Sequence, residues 1–349
     1  MDYAKLLKKY LDYADKKQAS DLHLKSLLPA AVRVFGELEN IDEKVLSPEE
    51  VSAIADVVLT EENKAALDAS KDVDMSFSLD GKKRYRCNAY YDRNGLSLAI
   101  RQYCEEIQDF EKLGIPELLK RLCLKRSGLI LITGPTGSGK TTTLAALINY
   151  INNNRSGHII TVEDPIEFVF QSNKCMITQR EINTDTPSFK TALRAILRQD
   201  PDIIVLGEMR DLESMSTALT AAETGHLVLA TMHTTGAENS VDRIIDSFPA
   251  DQQNQIRMQL AMVLTCIVSQ QLIPRADGTG RILATEVMTG SSNVKSLIRQ
   301  GKSHQMQNAM ATGNSSGMYT INQCLDKLYL QGLISHNDYK IYQTNQIII

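Results

Sequence analysis

The sequence holds no tryptophan, few aromatic residues (5%), no long apolar run and no excess of one charge. Each absence excludes something. Basic residues number 38 against 42 acidic ones, for a net charge of −4. A dedicated nucleic-acid binder is usually basic and lines its groove with aromatics, so direct nucleic-acid binding and DNA translocation are not expected. No segment approaches the roughly 20 apolar residues needed to cross a bilayer. The start, MDYAKLLKKYLDYADKK, is amphipathic and charged, unlike the apolar centre of a secretion signal. No transmembrane segment is therefore expected, and the chain reads as cytoplasmic or bound to a membrane machine from the cytosolic side. Its six cysteines (Cys87, Cys104, Cys123, Cys175, Cys266 and Cys324) include no CxxC pair. Neither a disulfide framework nor a zinc site is expected, only reduced thiols. Internal repeats and low-complexity tracts are also missing.

What is present is enough for two or three folded units, because 349 residues at 43% hydrophobic content can bury more than one core. Residues 2–17 have helical spacing, with Leu6, Leu7, Tyr10, Leu11 and Ala14 on one stripe. Strand-like runs at 21–25 and 31–36 follow, then helical patterns near 48–58 and 61–69, the first with Ser47 as N-cap and Pro48 at its first position. A period-two run at 73–79 and strand-like runs at 83–91 and 96–102, which flank a turn at 92–95, complete a small α+β domain over 1–103. Residues 104–113 read as a linker. From 114 to 290 the pattern becomes α/β: nearly all-apolar strands at 128–133, 158–163, 202–206 and 227–232 alternate with helices at 140–153, 187–199 and 211–224. Strands that apolar are covered on both faces, which predicts a parallel, doubly wound sheet. Residues 291–349 read as helical.

Between the first core strand and its helix stands Gly134-Pro135-Thr136-Gly137-Ser138-Gly139-Lys140-Thr141-Thr142. GxxxxGK[ST] in that setting is a phosphate-binding loop. Its glycines let backbone N–H groups turn inward around a phosphate, and the following helix offers its positive end. ATP is the expected ligand, with Lys140 on the β- and γ-phosphates and the Thr141 hydroxyl on Mg²⁺.

Hydrolysis needs further partners. DPDIIVLGEMRD (200–211) is an apolar strand that puts Glu208 at its carboxyl end, beside the phosphate loop, where α/β sheets bind ligands. Glu208 could polarise the attacking water or hold Mg²⁺ through water. Gly207 stands where an aspartate is usual. A second strand end carries Glu163 and Asp164; Glu163 is a candidate general base or water-positioning carboxylate, or part of a solvated turn closed by Pro165. His226 and His233 bracket a core strand seven residues apart, about 23 Å when extended, so they cannot share a metal. His233, at the carboxyl end, is placed to sense the γ-phosphate, whereas His226 reads as structural. The helix after Thr186-Pro187 has the stripe Phe189, Leu193, Ile196 and Leu197, with Arg194 and Arg198 opposite it, either solvated or at a subunit interface. Arg84 and Arg86 share a sheet face, and Arg101 lies on another strand of the same domain. They are either solvated or supplied in trans to a neighbour's nucleotide.

Together these pieces resemble the secretion ATPase superfamily, and most closely its type IV pilus retraction ATPases (the PilT family). The resemblance runs along nearly the whole chain: ASDLHL (19–24), RYRCNAY (84–90), LAIRQY (98–103), the phosphate loop, TVEDPIEF (161–168), the Glu208 strand, TGHLVLATMHTTGA (224–237), VDRIIDSFP (241–249) and GMYTINQCLDKLYLQGLI (317–334). It implies a RecA-like core, a PAS-like N-terminal domain and a homohexameric ring. It also implies catalysis by Glu163 and Glu208, supported by His233, Arg84, Arg86 and Arg101. The partner implied is an inner-membrane platform protein at the pilus base, met from the cytoplasmic face, and the output is pilus retraction and twitching motility. The alternative is an extension or type II secretion ATPase. Those usually carry a four-cysteine insertion where this chain has QQLIPRADGTGRI (270–282). One stretch departs from the retraction pattern AIRNLIRE: here it is NVKSLIRQ, with Lys295 for an arginine and Gln300 for an acid.

Overall fold

The protein is described from a computed structural model covering residues 2–17, 19–34, 36–79, 83–103 and 107–343. Cys104 and the first residues of the expected linker, 104–106, lie outside the described residues. Contacts divide the chain into two compact units, Met1–Glu106 and Ile107–Ile349.

The first unit opens with α1 (Tyr3–Lys16), then β1 (Asp21–Lys25), β2 (Pro29–Val34) and β3 (Glu37–Val45). Helices α2 (Pro48–Val58) and α3 (Glu61–Ser70) lead to β4 (Asp72–Leu79), β5 (Lys83–Asp92) and β6 (Gly95–Gln102). The strands form one antiparallel sheet in the order β3-β2-β1-β6-β5-β4. Leu7, Tyr10, Leu11 and Ala14 of α1 are buried, as the stripe predicts. Ser47 caps α2 in a full capping box with Glu50, and Pro48 sits at the first position, where its missing N–H leaves no bond unmade. Strand β3 has no signal in the sequence: ELENIDEKV is mostly charged and none of it is fully buried. Alternation in β1 and β2 puts Leu22, Leu24, Ala30 and Val32 in the core, while the other face carries Asp21, His23, Lys25 and Arg33 beside Pro29 and Ala31.

The second unit begins with α4 (Phe110–Leu113) and α5 (Leu118–Leu122), then β7 (Gly128–Thr133), α6 (Lys140–Asn154), β8 (Gly157–Glu163) and β9 (Cys175–Glu181). It continues through α7 (Phe189–Ile196), β10 (Ile203–Leu206), α8 (Leu212–Glu223), β11 (Leu227–Met232), α9 (Ala237–Asp246) and α10 (Gln253–Val263). It closes with the hairpin β12 (Leu264–Pro274) and β13 (Arg281–Thr289), then α11 (Ser292–Gln300), α12 (Met306–Thr312), α13 (Ile321–Leu330) and α14 (His336–Tyr342). The sheet order is β13-β12-β7-β11-β10-β8-β9, parallel throughout except for β13. Successive residues of β7 serve opposite faces: Leu129 and Leu131 pack with helices α7 to α12, Ile130 and Ile132 with α4 to α6.

Three differences from the sequence reading have physical causes. Phe110, expected in the linker, is buried and its ring lies 5.2 Å from that of Tyr150, so residues 107–113 fold with the second unit. Val294, Ile298, Met306 and Met310, beyond the boundary expected at 290, share one core with the sheet. Leu197, expected on the stripe of α7, is 38% exposed because that helix ends at Ile196. Of the cysteines, Cys87, Cys123 and Cys266 are buried and their thiols are pushed up to about 12, which keeps them unreactive.

Candidate functional site

The strand order β7-β11-β10-β8 decides which side chains meet, because each strand ends in one of the candidate groups. In that order the carboxyl ends present the glycine-rich loop, His233, Glu208 and Glu163. Sequence distances of tens of residues thus become neighbouring strand ends, the position where parallel α/β sheets bind ligands.

The loop is built on conformations that need glycine. Gly134, Gly137 and Gly139 have φ of 145°, 76° and 86°. At Gly134 an added Cβ would lie 2.3 Å from the Gln270 carbonyl oxygen, so nothing but glycine fits there. Lys140 folds back over the loop, donating to the carbonyls of Gly134 and Pro135, each at 2.9 Å. Burial pushes its ammonium below the ordinary 10.5, and the charges of Glu208 and Glu167 draw it partly back. Lys140 is thus a buried cation held by neutral carbonyls, ready for stronger anionic partners. Among the described residues nothing hydrogen-bonds to the buried hydroxyl oxygens of Ser138 and Thr133.

His233 bridges the loop and the acid. Its Nδ1 is 3.3 Å from Thr136 Oγ1 and its Nε2 is 3.4 Å from Glu208 Oε2. The same carboxylate oxygen is 2.7 Å from Arg210 Nε. Gly207 has a steric reason: a Cβ there would stand 3.3 Å from both the Glu163 Cα and the Val162 carbonyl oxygen. Glycine lets the turn that carries Glu208 close onto the end of β8. Glu163 is 9% exposed and accepts hydrogen bonds from Thr161 Oγ1 at 2.6 Å and Gln179 Nε2 at 3.2 Å. These donors hold one carboxylate oxygen in place. His226, by contrast, sits at the other end of its strand with Nδ1 2.9 Å from the Ala221 carbonyl oxygen, closing the last turn of α8.

The residues suit a magnesium nucleotide. Among the described residues no group of three or more His, Cys, Asp or Glu side chains could hold a metal by itself. Mg²⁺ does not need such a cage. It keeps several waters and takes one or two protein oxygens plus phosphate oxygens. The Thr141 hydroxyl, first in line after Lys140, and the Glu208 carboxylate are donors of that kind.

The three arginines belong to the first unit. Arg86 and Arg101 are directly opposite each other on β5 and β6, and Arg84 is on the same face two residues along. Two cations placed this way repel, and acids offset the repulsion. Arg86 Nη2 is 3.1 Å from Asp74 Oδ2, and Arg101 meets Asp21 through Nε at 2.9 Å and Nη2 at 2.7 Å. Arg84 donates to Ser76 Oγ at 3.0 Å.

Sequence reasoning missed several supporting groups. Gln270, fully buried on β12, donates to the Ser138 carbonyl at 2.9 Å and braces the loop from behind. Finding it requires knowing that β12 lies beside β7. Thr161 could have been found, because it is two residues from Glu163 on a strand and shares its face. Gln179 could not, since it depends on the pairing of β9 with β8.

The family model described as "Type II/IV secretion system protein" matches residues 2–340. The chain is 44% identical to the type IV pilus retraction ATPase PilT of Pseudomonas aeruginosa over 328 residues, 94% of this chain and 95% of that one. It is 44% identical to a twitching motility protein of Neisseria gonorrhoeae over 304 residues, covering 87% and 81%. A crystal structure of the pilus retraction motor PilT with bound ADP superposes with a TM-score of 0.92 at 42% identity, covering 100% of this chain and 99% of the other.

Proposed function

The chain belongs to the type II/IV secretion system protein family, and from that membership we propose that it is an ATP-hydrolysing motor that powers type IV pilus retraction. The observation that carries the ATPase reading is the row of strand ends, in which Thr136 of the loop, His233 and Glu208 stand within hydrogen-bonding or near-contact range of one another. A protein that only bound nucleotide would have no use for two acids beside the phosphates.

In this reading Lys140 leaves the loop carbonyls for the β- and γ-phosphates, and the backbone from Gly134 to Thr142 cradles them. Thr141 and Glu208 would hold Mg²⁺, which when bound would neutralise phosphate charge. Glu163 takes up the proton of the attacking water, which Glu208 helps to polarise, while His233 carries the state of the γ-phosphate to Glu208. Arg84, Arg86 and Arg101 act in trans within a homohexamer, on a neighbour's nucleotide. The first unit is PAS-like, a reading that its single antiparallel sheet with helices on one face supports. The ring works at the cytoplasmic face of the membrane against an inner-membrane platform protein. No helix among the described residues is long and apolar enough to cross a membrane.

The similarity to a retraction ATPase over 94% of the chain supports retraction over extension. Counting surface pili by electron microscopy in cells lacking the gene separates the two. The expected result is more pili than in the parent, together with lost twitching. A bald cell would make the chain an extension motor, and an unchanged count would remove the retraction reading.

A further inference from the structure

Glu286, on β13, is a carboxylate with 2% exposure. Among the described residues no cation pairs with it. Its hydrogen-bond donors are two backbone N–H groups from the starts of two different helices. Oε1 accepts from Ala237 at 2.8 Å, the first residue of α9, and Oε2 accepts from Ile321 at 3.3 Å, the first residue of α13. Burying a carboxylate is costly, and here two helix N-terminal dipoles offset the cost. An amide at this position could accept from one helix but would turn its NH₂ toward the N–H of the other. A carboxylate accepts from both.

Each helix leads somewhere different. α9 starts four residues after His233, and that loop is fastened to its first turn. Thr234 Oγ1 is 2.7 Å from Ser240 Oγ, and Asn239 donates to the Thr235 carbonyl at 2.8 Å. Ser269, directly across from Glu286 on β12, accepts from the Gly236 N–H at 2.9 Å. The placement of His233 against Thr136 and Glu208 therefore rests on how the start of α9 is held. α13 is tied to the same strand through Tyr319, whose backbone bridges Val287 in both directions at 2.9 and 3.1 Å. Its own side chains pack with Ile273 and Ala284 of the hairpin.

We propose that Glu286 is a positioning residue for ATP hydrolysis that joins the His233 loop to α13, so that a change at the nucleotide is felt at the start of α13. The inference rests on the ATPase reading above for its kinetic consequence, but not for its conformational one. In the full-length protein, Glu286→Gln is expected to lower kcat about tenfold, as loss of one buried charged hydrogen bond would. KM should stay within about twofold, because Glu286 does not touch the nucleotide. Hydrogen exchange supplies a second readout. ADP should change amide protection across 321–330 in the parent protein and leave it unchanged in Glu286→Gln. Ile321→Pro isolates one arm. It removes the N–H that donates to Oε2, together with a side chain partly buried against the Ile273 and Ala284 cluster, at a first helical position where proline fits and after a residue already extended (Thr320, ψ 162°). This variant should also lose the ADP response at 322–330. The proposal is overturned by parental kcat in Glu286→Gln, by a rise in KM alone, or by an ADP response of α13 that is absent in the parent or intact in either variant. A parent protein that does not hydrolyse ATP would sink the ATPase reading instead, and the exchange experiment would still decide the inference.

Discussion

The two sheets of this molecule use polar residues in opposite ways. In the second unit β7, β10 and β11 are buried along their whole length, so polar chemistry is confined to the strand ends. In the first unit one sheet face is open, and Arg84, Arg86, Arg101, Asp21 and Asp74 lie across it. Where a sheet is covered on both sides, topology alone decides which functional groups meet. Where one face is left polar, register brings the groups together, but what they act on depends on what covers that face.

Glu208 stands at the centre of the row of strand ends, beside His233. If chemistry is concentrated at the strand ends, Glu208→Gln should cut ATP turnover by about 10²–10³-fold while ADP still binds. The amide keeps the shape and loses the charge and the basicity. Hydrolysis at the parental rate in a steady-state assay would show that the row of strand ends is not where the work is done.

A smaller effect is expected from the open face, and it should depend on assembly. Arg101→Ala takes the arginine from Asp21, yet Arg101 is 62% exposed and the pair should add about 1 kcal/mol or less to stability. Turnover should nevertheless fall. Mixing Arg101→Ala with the inactive Lys140→Ala should restore part of it, since random mixing gives roughly a quarter of shared sites both intact residues. No recovery at any mixing ratio would mean that the arginines serve only their own sheet, through Asp21 and Asp74.

The same contrast explains how much could be read in advance. The strands of the second unit were legible wherever an apolar run was unbroken, as in GLILIT and LVLATM, and those runs led to every strand end of the site. The hairpin β12–β13 was not. β12 follows α10 with no intervening turn, Leu264 serving as both helix cap and first strand residue. Its apolar run is then interrupted by Ser269 and Gln270, the two residues that face the α9 start and the phosphate loop. The polar residues that hide the strand are thus the ones that support the site. In the first unit β3 is hidden by its charge, and in the second Leu197 carries the apolar spacing one residue past the end of α7. The arginines could be assigned to one face, but the aspartates that hold them required the pairing of β4 with β5 and β1 with β6.

Two lysines, one in each unit, are shifted in opposite directions. On the first unit Lys44 is raised above 10.5 by its hydrogen bond to Glu50, so what it contributes to stability is complete below 10.5 and is lost as pH rises through its folded value. Lys140 is lowered by burial, so its protonated form disfavours the folded, nucleotide-free state, and that penalty is relieved as pH rises from its folded value toward 10.5. Phosphates reverse the situation at Lys140 by giving the ammonium anionic partners, which raises its pKa in the complex. ADP should therefore bind most tightly where Lys140 is already protonated and less tightly as pH rises through its lowered value, with a fraction of a proton taken up on binding in that window. Titration calorimetry at alkaline pH, repeated in two buffers of different ionisation enthalpy, reads the proton directly, because the ADP phosphates and the carboxylates do not titrate there. Lys140→Arg keeps the charge at every pH, so it should bind ADP with equal heats in the two buffers. Equal heats in the parent protein would mean that Lys140 is charged throughout, held by the carbonyls of Gly134 and Pro135 as firmly as Lys44 is held by Glu50.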